Sequence, residues 1–190
     1  GPRRPKIIYF IGCNNVRVQD VTLRNSAYWT QDYEKCNGVI VRGVKVYSHA
    51  NWNNDGLDID SRNVVVSDCY IDCDDDALCL KSDTDTPCEN VTVTNCVLKS
   101  NCNAIKFGTS SYSGFKNVTI SNCTIDRASE DHIRQWYKNY PWIGTKHKTV
   151  VAGIALESVD GGIIENVSIS DIAMQGVQTP IFVRLGDRKR

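Results

Sequence analysis

Two acidic segments carry the residue types best suited to chemistry in this chain of 190 residues. The first is Asn51-Trp52-Asn53-Asn54-Asp55-Gly56-Leu57-Asp58-Ile59-Asp60, and the second, about twenty residues later, is Asp74-Asp75-Asp76. Carboxylates held close together repel, so at least one should have a raised pKa and the group should titrate as a coupled set. A protonated carboxyl beside an ionised one supplies an acid and a base at neutral pH.

An internal repeat is expected to bring the two segments together. Its phrase is Asn-Val followed by alternating apolar and polar residues, and it begins at Asn15, Asn63, Asn90, Asn117 and Asn166, with a weaker copy at Gly38. In chain order, the starts are separated by 23, 25, 27, 27 and 49 residues. This period indicates a solenoid, and strict alternation rich in Val, Ile and Thr indicates strands. The sequence therefore predicts an all-β fold, a parallel β-helix of about six to seven coils.

A second strand type follows in most coils, beginning at Leu57, Leu78, Ile105, Ile154 and Ile181. Its apolar residues should point inward and the residues between them outward. Aligning the coils gives three outward columns. The first holds Asp55, Asp76, Asn103, Ala152 and Thr179; the second holds Asp58, Cys79, Lys106, Ala155 and Phe182; the third holds Asp60, Lys81, Gly108, Glu157 and Arg184.

The repeat favours one β-helix domain over residues 1–190, with an insertion at about residues 127–150. The insertion is basic and aromatic and includes Arg134, Trp136 and Lys138. Such a segment suits stacking on sugar rings and pairing with carboxylates or sulfates, or else covers a flank of the solenoid. Because neither end shows a cap, we expect the chain to be the central part of a larger catalytic domain, with ends prone to association.

Charge and cysteine usage narrow the class of protein. The 22 basic and 22 acidic residues balance, which argues against a nucleic-acid or membrane-surface partner, and no apolar run reaches the length of a membrane span.

Of the nine cysteines, Cys69, Cys96 and Cys123 share one inward repeat position and should form a ladder of free thiols. The sequons that begin at Asn90, Asn117, Asn122 and Asn166 arise from the repeat itself, which favours stacked amides over glycosylation.

The carboxylate column is compatible with three kinds of chemistry. Glycoside hydrolysis needs one protonated carboxyl for the leaving oxygen and one or two ionised carboxylates for the attacking water. A cluster of oxygen ligands also suits Ca²⁺, and Asp is common in polar turns. Lys81 and Lys106 near the cluster favour an acid/base site or an anionic ligand. We therefore expect no metal and no cofactor.

The motifs resemble those of family-28 glycoside hydrolases, the polygalacturonase family. Asn53-Asn54-Asp55-Gly56-Leu57-Asp58 is similar to its Asn-Thr-Asp-Gly-x-Asp motif, and Asp75-Asp76-Ala77-Leu78-Cys79-Leu80-Lys81-Ser82 to its Asp-Asp-Cys-x-Ala-x-Lys-Ser motif. The resemblance implies a right-handed β-helix, secreted or periplasmic, that hydrolyses α-linked galacturonic acid or related pectic chains with inversion. It makes Asp75 the general acid, while Asp55 and Asp76 hold and deprotonate the attacking water.

The sequence also departs from the family pattern. The family's Gly-His-Gly segment falls at Cys102-Asn103-Ala104, and its substrate-binding Arg-x-Lys pair falls at Ala155-Leu156-Glu157. Lys106 and Arg134 are candidates to replace the missing charge. The expected substrate-binding residues are Asn53, Asp58, Lys81, Asn103, Lys106, Arg134 and Glu157. Two other interpretations stay open, a polysaccharide lyase that uses Ca²⁺ and a Lys or Arg base, and a non-catalytic carbohydrate-binding or structural β-helix.

Overall fold

The computed structural model describes residues 4–130 and 150–188, and within these ranges it contains strands and no helix. The strands follow one another at short intervals along the chain. They are β1 (Ile8–Ile11), β2 (Asn14–Gln19), β3 (Thr22–Arg24), β4 (Gln31–Arg42), β5 (Lys45–Ser48), β6 (Leu57–Ser67), β7 (Tyr70–Cys73), β8 (Leu78–Ser82), β9 (Cys88–Thr94), β10 (Val97–Ser100), β11 (Asn103–Ser111), β12 (Phe115–Arg127), β13 (Val150–Ser158), β14 (Ile164–Met174) and β15 (Val177–Leu185).

Every strand pairing is parallel, and the pairs form three rows along a solenoid of about six turns. One row, which we call the site row, contains β1, β8, β11, β13, β15 and the first parts of β4 and β6. The long strands β4 and β6 bend from the site row into the next row, and β12 bends from that row into the third. The predicted parallel β-helix is confirmed.

Asparagine residues form the bends between rows. The repeat Asn residues have positive φ, for example 56° at Asn63 and 55° at Asn90, and Gly38 takes the same position with φ 78°. Asn and Gly tolerate this left-handed conformation better than other residues. The side-chain amides also bond to one another between coils, from Asn166 to Asn117 at 3.1 Å and from Asn117 to Asn90 at 3.1 Å. These stacked amides agree with the expectation from the sequons.

The core lies inside the coils and consists of stacked aliphatic rows. Val39, Val64, Val91 and Val118 occupy the same repeat position on successive coils, and each is almost completely buried. Cys69, Cys96 and Cys123 form another buried row, and all nine cysteines are free. The thiols therefore pack as small apolar groups, as the repeat position predicted.

The predicted insertion lies mostly outside the described residues. Strand β12 ends at Arg127 and β13 begins at Val150, and residues 131–149, including Arg134, are not described. In the described part of the chain, no helix has the length and hydropathy needed to cross a membrane.

Candidate active site

The two acidic segments lie side by side where successive coils enter the site row. The peptide N–H of Gly56 donates to the carbonyl of Asp76 at 2.9 Å, and the N–H of Ala77 donates to the carbonyl of Asn103 at 2.9 Å. A Cβ on Gly56 would lie 2.2 Å from Cγ2 of Ile71, so glycine is required for this close approach. The backbone therefore places Asp55, Asp76 and Asn103 on three adjacent coils.

The outward columns have the register that the repeat predicted. Asp58 pairs with Cys79, Cys79 with Lys106, and Lys106 with Ala155. Glu157 pairs with Arg184 in the third column. Because side chains of one column project from the same face of a sheet, Asp58, Cys79 and Lys106 lie beside one another on successive coils, next to the carboxylates.

Asp55, Asp58 and Lys81 form a buried group of charges. Lys81 Nζ lies 3.1 Å from Oδ1 of Asp58 and 3.7 Å from Oδ2 of Asp55. Burial, followed by repulsion from Asp58 and Asp75, raises the pKa of Asp55 well above its usual range. Burial raises the pKa of Asp58 to about 7, although Lys81 opposes the shift. Asp55 and Asp58 therefore both bind protons more strongly than an exposed carboxylate.

Asp76 has the opposite electrostatics, although it is also buried. Asn103 donates to Oδ1 of Asp76 from its side-chain amide at 2.7 Å and from its peptide N–H at 3.2 Å. Lys106 Nζ donates to Oδ2 at 2.9 Å. Burial alone would raise the pKa of Asp76, but the charges of Lys106 and Lys81, together with these hydrogen bonds, lower it to about 2. Asp76 is therefore ionised at neutral pH.

Asp75 is more accessible than its neighbours and lies at the edge of the cluster. Its Oδ1 accepts the peptide N–H of Asp76 at 2.9 Å, and its carbonyl accepts the hydroxyl of Ser100 at 2.6 Å. The negative charges of Asp75 and Asp76 both raise the pKa of Asp55, which places the three carboxylates within electrostatic reach of one another. The structure thus brings together the three residues that the resemblance marked as catalytic.

Two groups of ligand atoms have the spacing that a metal ion could use. Asp55, Asp58 and Cys79 form one, Asp75, Asp76 and Cys102 the other, and within each group the atoms lie within 4.8 Å of one another. In the first group the Lys81 ammonium already lies between the two carboxylates. In the second, Lys106 already pairs with Asp76. A divalent cation would have to displace these ammonium groups, so the geometry favours acid/base chemistry over a metal centre.

The remaining predicted residues have different positions. Asn53 is an exposed turn residue with φ 49°, next to the buried Asn54. Glu157 lies in the third column, two coils beyond Lys81, where it is buried near Arg188. Lys106 is adjacent to Ala155, as expected, but its charge is paired with Asp76. Arg134 is outside the described residues.

The repeat analysis missed a further coil of the site. Asp32 is the strand neighbour of Asp58 in the same column, and its carboxylate forms an ion pair with Lys6. Trp29, just before this strand, lies 4.2 Å from Lys81 Nζ, measured to the ring centroid. Counting one repeat back from Asp58 would have found Asp32, but the residues around it lack the Leu/Ile pair that marked the other strands.

The fold is a parallel β-helix with carboxylates clustered on one outward row, and comparison with known proteins shows the family to which it belongs. The family model for glycosyl hydrolases family 28 matches residues 1–186. The chain belongs to this family. It is also similar to a protein described as a probable polygalacturonase of Arabidopsis thaliana, with 32% identity over 83 residues. That match covers 43% of this chain and 18% of the plant protein, less than two thirds of either.

Proposed function

We propose that this chain forms part of a glycoside hydrolase that cleaves pectic, galacturonic-acid-containing or related polysaccharides with inversion. The observation that carries the proposal is the convergence of Asp55, Asp75 and Asp76, two of which have pKa values shifted in opposite directions. The separated pKa values suit different tasks at the attacking water, because Asp76 stays charged while an ionised Asp55 is the better proton acceptor. Membership of the family supports hydrolysis over the lyase interpretation.

The proposed reaction uses the three carboxylates in different roles. Asp75, the most accessible, donates its proton to the glycosidic oxygen as the bond to the anomeric carbon breaks. Asp76, which stays ionised, orients the attacking water. When Asp55 is ionised it is the stronger base of the pair, because its pKa is the higher, so it accepts the proton that the water loses. The new bond forms on the opposite face of the sugar.

A product assay tests this proposal. Wild-type protein and the Asp75→Asn variant are incubated with oligogalacturonates and other acidic and neutral oligosaccharides, and the new reducing ends and their anomeric configuration are measured. We expect inverted products from the wild type and a loss of about 10²-fold or more in Asp75→Asn. Asp171→Asn makes the same change at an exposed bend and should leave the rate unchanged.

The same assay distinguishes the other two interpretations. A lyase would produce an unsaturated sugar that absorbs in the near ultraviolet, and a chelator would abolish its activity. A non-catalytic binding protein would bind the oligosaccharides without releasing products, and binding would not depend on Asp75. Unchanged cleavage in Asp75→Asn would show that the general acid is another residue.

We further propose a secreted or periplasmic location and an acidic polysaccharide as partner, both supported by the family.

We also propose that residues 1–190 form one unit within a larger catalytic domain. The continuous pairing from β1 to β15 among the described strands supports a single unit. Association through the ends of the solenoid is a further proposal, and Ile181, Val183 and Leu185 of β15 expose most of their surface. Cell fractionation and sedimentation of wild type and Val183→Lys test the location and the association.

A further inference from the structure

A stack of cations and aromatic rings extends from Asp55 toward the first coil. The guanidinium carbon of Arg4 lies 5.1 Å from the centroid of the Tyr28 ring. Tyr28 stacks on Trp29 with 5.0 Å between centroids and 14° between planes. Lys81 Nζ lies 4.2 Å from the Trp29 centroid and 3.7 Å from Asp55. The stack therefore links Arg4 to the carboxylate cluster through continuous contacts.

Arg4 differs from the other cations of this region in its pairing. The three lysines have carboxylate partners, which are Asp32 for Lys6, Asp58 for Lys81 and Asp76 for Lys106. Among residues 4–130 and 150–188, Arg4 pairs with no carboxylate; its Nη1 donates to the carbonyl of Trp52 at 2.7 Å. A guanidinium has five N–H donors in a planar fork, so most of the donors of Arg4 remain for a ligand.

We infer that Arg4 binds the carboxylate of a uronic acid unit of the substrate, at a subsite on the first-coil side of Asp55. This inference rests on the proposed function. The subsite supplies the positive charge that Ala155 and Glu157 do not supply at the other end of the site row. Tyr28 and the Trp52 carbonyl hold the guanidinium in place, which reduces the entropy lost when a carboxylate binds in a bidentate manner.

Calorimetric titration tests the inference without requiring turnover. The protein is the Asp75→Asn variant, and the probes are a trigalacturonate and its fully methyl-esterified form, which lacks the charges. Adding Arg4→Ala should weaken binding of the free acid about tenfold or more and leave binding of the ester unchanged. Arg4→Lys should give an intermediate loss, because lysine keeps the charge but lacks the fork.

Arg24 provides a matched control. Its guanidinium carbon lies 4.7 Å from the centroid of the Tyr47 ring, on the third row and away from the carboxylates. Arg24→Ala removes the same charge and the same type of ring contact and should leave binding of both probes unchanged. Equal losses in Arg4→Ala and Arg24→Ala, equal losses for acid and ester, or no binding of the acid would each overturn the inference.

Cleavage by the wild type is measured separately, so the two proposals fail independently. Binding that depends on Arg4, in a protein whose wild type releases no products, supports the subsite and overturns the proposed hydrolase function. Cleavage by the wild type together with acid binding that is insensitive to Arg4→Ala overturns the subsite alone. In an active enzyme, Arg4→Ala should raise KM and leave kcat nearly unchanged, because the contact is remote from the bond that breaks.

Discussion

Asn103 donates its side-chain amide to Oδ1 of Asp76 at 2.7 Å, at the position where the family's motif has histidine. A side-chain amide does not ionise near neutral pH, so this contact orients Asp76 and stabilises its charge without acting as a general acid or base. Lys106 occupies the other carboxylate oxygen. The asparagine that departs from the family motif therefore helps Lys106 to orient Asp76 and to keep it ionised.

The pH dependence of hydrolysis should follow Asp55. In our mechanism Asp55 must be ionised, and burial and Asp58 raise its pKa, so kcat/KM should fall as pH decreases at a pH well above the usual Asp value. Asp58→Asn removes the repulsion between Asp58 and Asp55. It also removes the carboxylate that competes with Asp55 for Lys81, so the pKa of Asp55 should fall. We expect this acidic limb to move to lower pH by about one unit. An unchanged limb in Asp58→Asn, with Asp171→Asn as control, would contradict the assignment of Asp55.

Breaking the pair of Lys106 and Asp76 should be costly. Both side chains are mostly buried, and Lys106→Met would remove the charge nearest to Asp76 at similar packing volume, leaving only the Asn103 hydrogen bonds and the charge of Lys81 to stabilise the carboxylate. We expect the free energy of unfolding at pH 7 to fall by about 3 kcal/mol, measured by urea titration. Lys116→Met removes an exposed pair with Glu165 and should leave the free energy of unfolding nearly unchanged, because solvent screens this pair. Similar losses in both variants would argue against a tightly coupled buried pair.

The bend at Asn90 separates backbone strain from amide stacking. Asn90 has φ 55° and bonds to Asn63 and Asn117 through its amide. Asn90→Gly loses the hydrogen bonds, but glycine tolerates a positive φ. Asn90→Ala loses the same hydrogen bonds and also strains the backbone at this φ. Urea titration should show Asn90→Ala less stable than Asn90→Gly by about 1 kcal/mol. If the two variants were equally stable, the conformation at this bend would not be the reason for asparagine.

The cysteines should behave as unpaired core residues. Seven are buried, and only Cys13 and Cys102 are partly accessible. A thiol reagent should therefore react quickly with at most two groups in the native protein and, without added reductant, with all nine after denaturation. A count below nine in the denatured protein would reveal a disulfide that the structure does not contain.

The period of the chain was sufficient to predict the fold and which residues of the candidate site lie on neighbouring coils. The coils stack in register, so alignment on the inward pairs that begin at Leu57 and Leu78 placed Asp55 beside Asp76. The same alignment placed Lys106 next to Ala155. In a solenoid, residues one repeat apart in sequence lie on neighbouring coils, so the spacing of residues along the chain is enough to predict which ones are neighbours in space.

Only the tertiary structure decided how the charges pair. The columns gave neighbours, but which of Asp55, Asp58 and Asp76 carries a proton depends on burial and on where the flexible side chains of Lys81 and Lys106 place their ammonium groups. The contributions of Arg4, Trp29 and Asp32 were also missed, because the residues around Asp32 lack the Leu/Ile pair that marked the other strands of the site row. These three residues reach the acidic segments Asn51–Asp60 and Asp74–Asp76 only through packing between coils. Sequence spacing determined which residues are adjacent, while side-chain conformation and desolvation determined their charges.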